Sequence, residues 1–258
     1  MRRGIKGIPI IINNRNLSIW PKAMVAELRR MKLCGPIVIV DNASTNPDTL
    51  KWYDELSKDD NAVVIYARFN GGHRAPFTLG VPQSLFEQFG HQHYVVTDPD
   101  LDLSHCPDTM LEYLLDVERN MDESIYEYNG HRPNMKDKIG VGIAIDDVPD
   151  NALFFNECER DYWAKKPTMP VYKMPSKIHM LPAPVDTTFA LYDYNRIKFY
   201  GLGGCRTIDI TLRHIPYYFT PDNFYDDLPA IKEFRNYLRT ATLSSTAKAT
   251  LINNSIQL

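Results

Sequence analysis

The sequence lacks the features that would identify a disulfide-rich, membrane-spanning or nucleic-acid-binding protein. Its four cysteines are widely separated and form no CxxC pair, which argues against a structural zinc site or a disulfide framework. No apolar run approaches the roughly 20 residues that span a bilayer. With 29 basic and 32 acidic residues there is no cationic excess to bind nucleic acid. We therefore expect a cytoplasmic protein with reduced thiols, no transmembrane segment and no nucleic-acid partner.

The sequence also lacks the glycine-rich loop of a dinucleotide-binding protein. The first apolar run, residues 8–12, is followed by Asn13-Asn14-Arg15-Asn16 instead of GxGxxG. That glycine pattern lets a helix N-terminus approach a pyrophosphate closely. Its absence argues against a dinucleotide-dependent dehydrogenase. A nucleotidyltransferase is also disfavoured, because such enzymes generally need a Gly- and basic-rich first loop.

The first half of the chain alternates between two hydrophobic patterns. Short apolar runs predict four strands buried on both faces, at residues 8–12, 36–40, 62–66 and 93–97. Helical periodicity, in several cases beginning at a proline, predicts helices at residues 21–31, 47–57, 80–89 and 107–119. This order predicts an α/β fold with a mainly parallel central sheet flanked by helices.

The second half is less regular. We predict strands at residues 139–145, 185–192 and 208–215, and a long proline-punctuated loop at residues 159–182. The tail after Thr240 is weakly helical. The whole chain, residues 1–258, is predicted to form a single domain with a regular half (1–120) and an irregular half (121–258).

Polar clusters follow all four predicted strands of the first half. They are Asn13-Asn14-Arg15-Asn16, Asp41-Asn42-Ala43-Ser44-Thr45, Arg68-Phe69-Asn70-Gly71-Gly72-His73 and Asp98-Pro99-Asp100-Leu101-Asp102. Any single cluster could be an ordinary turn. The carboxyl ends of parallel strands meet at one edge of a sheet, so four clusters together predict a ligand cleft.

The segment Asp98-Pro99-Asp100 carries the strongest chemical signal. Pro99 favours an extended Asp98, and residues two apart in an extended chain point the same way. Two adjacent carboxylates repel each other unless a cation lies between them, and oxygen ligands suit Mn²⁺ or Mg²⁺. A diphosphate would supply the remaining oxygens. The alternative is a helix N-cap made by Asp98 or Asp102 without a metal.

The ordered motifs resemble the nucleotide-binding half of family 2 glycosyltransferases and their GT-A relatives, over about residues 8–120. The resemblance implies that Asp41 contacts the nucleoside base and that Asp98 lies near the ribose and the metal. It implies that Asp100 is the direct metal ligand. The side chains that would line the nucleotide pocket are Asn13, Asn14, Arg15 and Asn70. The first strand end departs from the usual Thr-Tyr-Asn, which leaves open which side chain meets the base.

The resemblance also implies roles in the second half. An inverting transferase needs a carboxylate to accept the proton of the acceptor hydroxyl. Asp186 is the candidate base, with Asp146 and Asp147 as alternatives. Some GT-A enzymes use a late histidine as a third metal ligand, and His214 is similarly placed. Two arginines, Arg206 and Arg213, could instead neutralise the diphosphate.

The sequence therefore predicts a metal-dependent glycosyltransferase of polysaccharide biosynthesis. It would move a sugar from a nucleoside-diphosphate sugar, by family habit UDP-linked, to a hydroxyl of a glycan or other acceptor. Two alternatives stay open. A haloacid-dehalogenase-like phosphatase also uses Asp-x-Asp after a strand, and a non-catalytic nucleotide-sugar-binding protein would keep Asp41 and the metal pair.

Overall fold

The computed structural model describes residues 7–121, 135–155, 157–164, 179–183, 185, 188–196, 204–240, 251 and 256. Strands and helices alternate through the first of these ranges. Its strands are β1 (Ile8–Asn14), β2 (Cys34–Asp41), β3 (Ala62–Tyr66) and β4 (His93–Thr97). Its helices are α1 (Ile19–Arg30), α2 (Pro47–Leu56), α3 (Ala75–Thr78) and α4 (Val81–Phe89).

These four strands pair with one another in parallel, in the order β3-β2-β1-β4. β1 is buried on both faces: Ile10 and Ile12 join one apolar cluster, and Ile11 joins another on the opposite face. Helices α1 and α2 contribute to the first cluster, α3 and α4 to the second. The predicted α/β architecture, a mainly parallel sheet flanked by helices, is confirmed.

The same sheet continues into the second half with mixed pairing. The further elements are β5 (Leu101–Asp102), α5 (Met110–Asn120), β6 (Lys138–Ile143), α6 (Glu157–Ala164), β7 (Met180–Pro182), β8 (Ala190–Asp193), β9 (Cys205–His214) and α7 (Pro229–Thr240). β8 lies antiparallel to both β4 and β6, β6 is parallel to β9, and β9 is antiparallel to β5 and β7.

The structure corrects several predictions for this half. The segment predicted as a loop, residues 159–182, includes most of α6 and ends in β7, while residues 165–178 lie outside the described part. Among the residues described, the strand predicted at 185–192 is confined to Ala190–Asp193. β9 begins at Cys205, three residues before the predicted start. Charged side chains are buried at or near the starts of three of these elements: Lys138 in β6, Glu159 in α6 and Arg206 in β9. Pattern analysis assigns such residues to the surface.

Helix α7 was not predicted. Its apolar side carries Ile231, Phe234 and Leu238, and the Phe234 ring lies 5.1 Å from that of Trp20 in α1. Glu233, on the same helix, is also buried. Helix α7 therefore covers the N-terminal end of α1. No helix in the described ranges combines the length and apolar character required to cross a bilayer.

Candidate functional site

Three of the predicted polar clusters meet at the carboxyl edge of the parallel strands. Asn13 Nδ2 donates to the Gly72 carbonyl at 3.1 Å, and Asn42 Nδ2 donates to the same carbonyl at 3.2 Å and to Asn13 Oδ1. The Gly71 amide donates to Asn42 Oδ1 at 3.1 Å. Gly72 has φ 64°, a conformation that glycine adopts without strain. Asn70 Oδ1 accepts from the Gly72 amide at 2.9 Å, so Asn70 shapes this turn.

Asp41 is held by a buried network. Its Oδ1 accepts from Tyr53 Oη at 3.1 Å, and both carboxylate oxygens lie 3.2 Å from the Ser44 amide. Asn14 is fully buried and donates to Tyr53 Oη at 2.8 Å and to the Leu17 carbonyl at 2.7 Å. Burial first, and then the Asp41 charge, raise the pKa of Tyr53, so the phenol stays protonated and can donate. In this structure Asn14 therefore contacts the Tyr53 hydroxyl, and the Tyr53 hydroxyl in turn donates to Asp41.

Arg15 links the strand edge to α7. Its Nη2 donates to the Thr240 carbonyl at 3.1 Å, and its Nη1 lies 3.5 Å from the Asn42 carbonyl. Its Nε is buried and has no hydrogen-bond partner among the described residues. Beside it lies a cavity of about 190 Å³ lined by Asn16, Thr45, Asn46, Pro47, Asn236 and Thr240. The contribution of α7 was not predicted. The apolar periodicity of Ile231, Phe234 and Leu238 is the feature of the sequence that indicates this helix.

The predicted metal motif lies beside this edge. Thr97 pairs with Ile12, so Asp98 follows at the level of Asn13. The chain then pairs Leu101 with His214, which brings the end of β9 against the motif. His214 Nε2 lies 3.6 Å from Asp100 Oδ1, and the Ile215 amide donates to the Asp100 carbonyl at 3.0 Å.

The electrostatics of this group fit a bound cation. Burial raises the pKa of Asp100 to about 6, and burial lowers the pKa of His214 although the Asp98 charge opposes that shift. His214 Nδ1 is buried without a hydrogen-bond partner among the described residues. Burial and then the charges of Asp100 and Asp98 raise the pKa of Tyr237 to about 12. Asp100 and His214 are donors that suit Mn²⁺ or Mg²⁺, but the ligand atoms of Asp98, Asp100 and His214 do not all lie within 4.8 Å of one another, so Asp98 as a ligand stays a prediction.

The candidate bases are placed differently. Asp186 lies outside the described residues and its role stays a prediction. Asp146 and Asp147 line a cavity of about 250 Å³. Asp147 accepts from Tyr218 Oη at 2.6 Å and pairs with Arg213. The Tyr218 hydrogen bond and then the Arg213 charge lower the pKa of Asp147, which makes it a weak proton acceptor.

Both arginines proposed for the diphosphate already pair with acids. Arg206 Nη1 lies 2.6 Å from Glu159 Oε2, with both side chains buried. Arg213 pairs with Asp147 near the surface. Arg15, by contrast, lies at the carboxyl edge of the parallel strands, next to the Asn42 carbonyl.

Comparison with known proteins gave similar solved structures only. No protein-family model matches the sequence, and no curated protein matches it. S. aureus TarS (residues 1–349) is 14% identical with TM-score 0.42, and the match covers 96% of this chain and 78% of that one. Mannosyltransferase PcManGT from Pyrobaculum calidifontis, in complex with GDP-Man and Mn²⁺, is 13% identical with TM-score 0.45, covering 97% of this chain and 75% of that one.

A third similar structure is GalNAc-T7 with UDP, GalNAc and Mn²⁺, 10% identical with TM-score 0.42, covering 97% of this chain and 55% of that one. The similar structures thus include the class of enzyme that the sequence motifs resemble. All three structures are only 10–14% identical to this chain, with TM-scores below 0.5.

Proposed function

We propose that this protein is a metal-dependent glycosyltransferase. It moves a sugar from a nucleoside-diphosphate sugar, with uridine as the expected nucleoside, to a hydroxyl group of an acceptor such as a glycan. The supporting observation is the position of Asp100, three residues after the end of β4. Its carboxylate lies 3.6 Å from His214 and next to the edge formed by Asn13 and Asn42.

The donor would lie along this edge. Asp41, fixed by Tyr53 and the Ser44 amide, offers a carboxylate to the nucleoside. Arg15 offers positive charge to the diphosphate. Asp98, Asp100 and His214 would hold Mn²⁺ or Mg²⁺, which neutralises the charge that grows on the leaving diphosphate.

The chemical step is a direct displacement. The acceptor oxygen forms a bond to the anomeric carbon, and the bond from that carbon to the diphosphate breaks with its electron pair on the diphosphate. The acceptor proton passes to a carboxylate, for which we propose Asp186. Attack opposite the leaving group inverts the anomeric centre. Asp146 is the alternative base because the pKa of Asp147 is lowered.

The proposal also includes a place of action. The four cysteines are widely separated in sequence and form no CxxC pair, as expected in a reducing compartment, and we therefore place the enzyme in the cytoplasm. A cytoplasmic enzyme with a nucleotide-sugar donor would serve polysaccharide biosynthesis.

The first test uses a panel of nucleotide-sugars with Mn²⁺ and measures release of the nucleoside diphosphate. Asp100→Asn should lower the rate at least about a hundredfold, because the leaving-group charge is no longer neutralised. Asp102→Asn is the matched control, since Asp102 lies in the same segment and its side chain accepts from the Ser104 amide at 2.9 Å. This control should retain activity.

Other outcomes decide against the proposal. Release of inorganic phosphate from a generic monoester, with nucleotide-sugars ignored, identifies a phosphatase. Donor binding without hydrolysis or transfer to any acceptor identifies a non-catalytic binding protein.

If Asp186→Asn abolishes transfer and leaves the donor dissociation constant unchanged, Asp186 is the base.

A further inference from the structure

A second group of metal-binding side chains lies at the opposite end of β4. His93 is the first residue of β4 and pairs with Asp193, the last residue of β8. Glu118, near the end of α5, completes the group. Asp98 follows β4 five residues after His93, about 16 Å away at 3.3 Å per strand residue. The two groups are therefore separate.

The geometry of this group matches that of a shared ion. One nitrogen or oxygen of each side chain lies within 4.8 Å of the other two. His93 Nε2 lies 3.4 Å from Glu118 Oε2. Two ligands about 2.0–2.1 Å from one tetrahedral ion stand roughly 3.3 Å apart. The side chains of His93, Glu118 and Asp193 are 18%, 12% and 7% exposed, so an ion between them would be shielded but reachable.

The histidine nitrogen makes no hydrogen bond in the described structure, and its neighbour is the Glu118 carboxylate. His93 Nε2 is a buried atom without a hydrogen-bond partner. A buried ring nitrogen facing a carboxylate, but not hydrogen-bonded to it, is free to give its lone pair to a metal.

The carboxylates keep lone pairs for a metal although they have neighbours. Asp193 accepts from the Asn195 amide at 2.9 Å and from Gln92 Nε2 at 3.2 Å, contacts that orient the carboxylate. Arg196 forms ion pairs with both carboxylates, its Nε lying 3.9 Å from Glu118 and 4.0 Å from Asp193, and a metal ion would share them with it. Each carboxylate has about four lone-pair positions, so these contacts leave room for one metal bond each.

We propose that His93, Glu118 and Asp193 form a binding site for a divalent transition-metal ion of the zinc type, with water as the fourth ligand. One imidazole and two carboxylates are ligands that zinc accepts. The ion would tie α5 to the β4–β8 pair, where the parallel half of the sheet joins the mixed half. Its role is structural and independent of the proposed glycosyl transfer.

The test must separate this site from Asp98 and Asp100. The double variant Asp98→Asn/Asp100→Asn is dialysed against Zn²⁺ alone, and bound metal is counted per chain. We expect one equivalent in this background and its loss when His93→Gln or Glu118→Gln is added. Co²⁺ should give visible absorption that is present in the double variant and absent after either addition.

His91→Gln is the matched control. His91 lies two residues before His93, is buried, and also has an Nε2 without a hydrogen-bond partner in the described residues, but it does not belong to the group. It should keep the metal. At a hundred times its dissociation constant, Zn²⁺ should raise the Tm of the double variant by about 5–10 °C. That shift should persist with His91→Gln and vanish with His93→Gln.

The outcomes are distinct from those for the proposed function. If the double variant binds no Zn²⁺, or binds it equally with His93→Gln and Glu118→Gln present, the second site is refuted. Nucleotide-sugar turnover by the His93→Gln single variant in Mn²⁺ stays within about twofold of the parent protein if both proposals hold. Should the parent protein show no turnover at all, only the glycosyltransferase proposal fails.

Discussion

The two halves of the sheet differ in what their cores contain. Among the residues described up to 121, Asp41 is the one Asp, Glu, Lys or Arg that is fully buried, and both it and the partly buried Asp100 lie at or just after strand ends. In the described residues from 135 onward the buried charged side chains are Lys138, Glu159, Asp193, Arg206 and Glu233. An apolar core imposes a visible periodicity on its strands and helices, whereas a core with paired charges hides it. The difference explains why pattern analysis places the elements of the first half accurately, whereas in the second half it finds β6, β8 and β9 with shifted bounds and misses α6 and α7.

The buried charges of the second half connect elements that are distant in sequence. Arg206 of β9 pairs with Glu159 of α6. Glu233 of α7 accepts from the Ser18 and Ile19 amides at the start of α1, at 2.9 and 3.0 Å. Lys138 Nζ donates to the Val185 carbonyl. Because an unpaired buried charge is costly, each of these pairs also specifies its neighbours.

The comparison is tested most strongly by Glu159→Gln. Removing this charge deprives the buried Arg206 guanidinium of its Glu159 partner, and we expect the free energy of unfolding to fall by about 3–5 kcal/mol. Urea denaturation measures the change. Glu55→Gln is the control, since Glu55 pairs with Lys22 on the surface and should contribute less than about 1 kcal/mol. Equal effects of the two substitutions would remove the distinction between the halves.

A smaller loss of stability is expected for Glu233→Gln. The side chain caps α1, which has no capping hydrogen bond from its own N-cap residue Ser18. Loss of the charge should cost about 1–2 kcal/mol of stability, because hydrogen bonds to a charged acceptor are the stronger ones. Asp227→Asn, which removes the exposed partner of Lys232, is the matched control and should be nearly silent. A silent Glu233→Gln would mean that α7 is held by its apolar side alone.

The third prediction concerns pH and the metal-free protein. The folded pKa of Asp100 is about 6, above its ordinary value of 3.8. Between these values the folded state binds more protons than the unfolded state, so this group's contribution to stability falls as pH rises. The lowered pKa of His214 makes stability rise with pH instead. This contribution is present in both the parent protein and Asp100→Asn, so a comparison of the two removes it.

We therefore expect Asp100→Asn to gain stability relative to the parent protein by roughly 1–3 kcal/mol between about pH 4 and pH 6. Denaturation in the presence of a chelator, from pH 4 to 7.5, measures this difference. Addition of Mn²⁺ at pH 7.5 should stabilise the parent protein and leave the variant unaffected. A pH-independent difference would show that Asp100 is not desolvated.

The smallest effect is expected for Tyr53→Phe in the first half. The substitution removes the hydroxyl between Asn14 and Asp41 but keeps the ring in the apolar core. We expect a loss of about 1 kcal/mol and weaker nucleotide binding, because Asp41 is no longer oriented. Tyr113→Phe is the control, since its hydroxyl makes a 3.4 Å contact with Asp209 at the surface. A loss as large as that for Glu159→Gln would contradict the view that this half rests on apolar packing.

The sequence by itself determined the first four strands, their parallel arrangement and the edge where Asn13, Asp41 and Asp98 lie. These follow from short-range patterns: continuous apolar runs, helical periodicity, and polar residues directly after each strand. Such patterns are local, so they can be recognised without knowledge of the tertiary structure.

Only the tertiary structure decided which distant residues meet. The pairing of Leu101 with His214 brings the histidine to Asp100, and α7 returns to cap α1 through Glu233. The antiparallel pairing of β4 with β8 places His93 opposite Asp193. Each contact joins residues about 100 or more positions apart, and its partners are polar side chains that have no periodicity of their own. Long-range pairing of buried polar groups is fixed by the need to satisfy them in the folded chain, which local sequence does not encode.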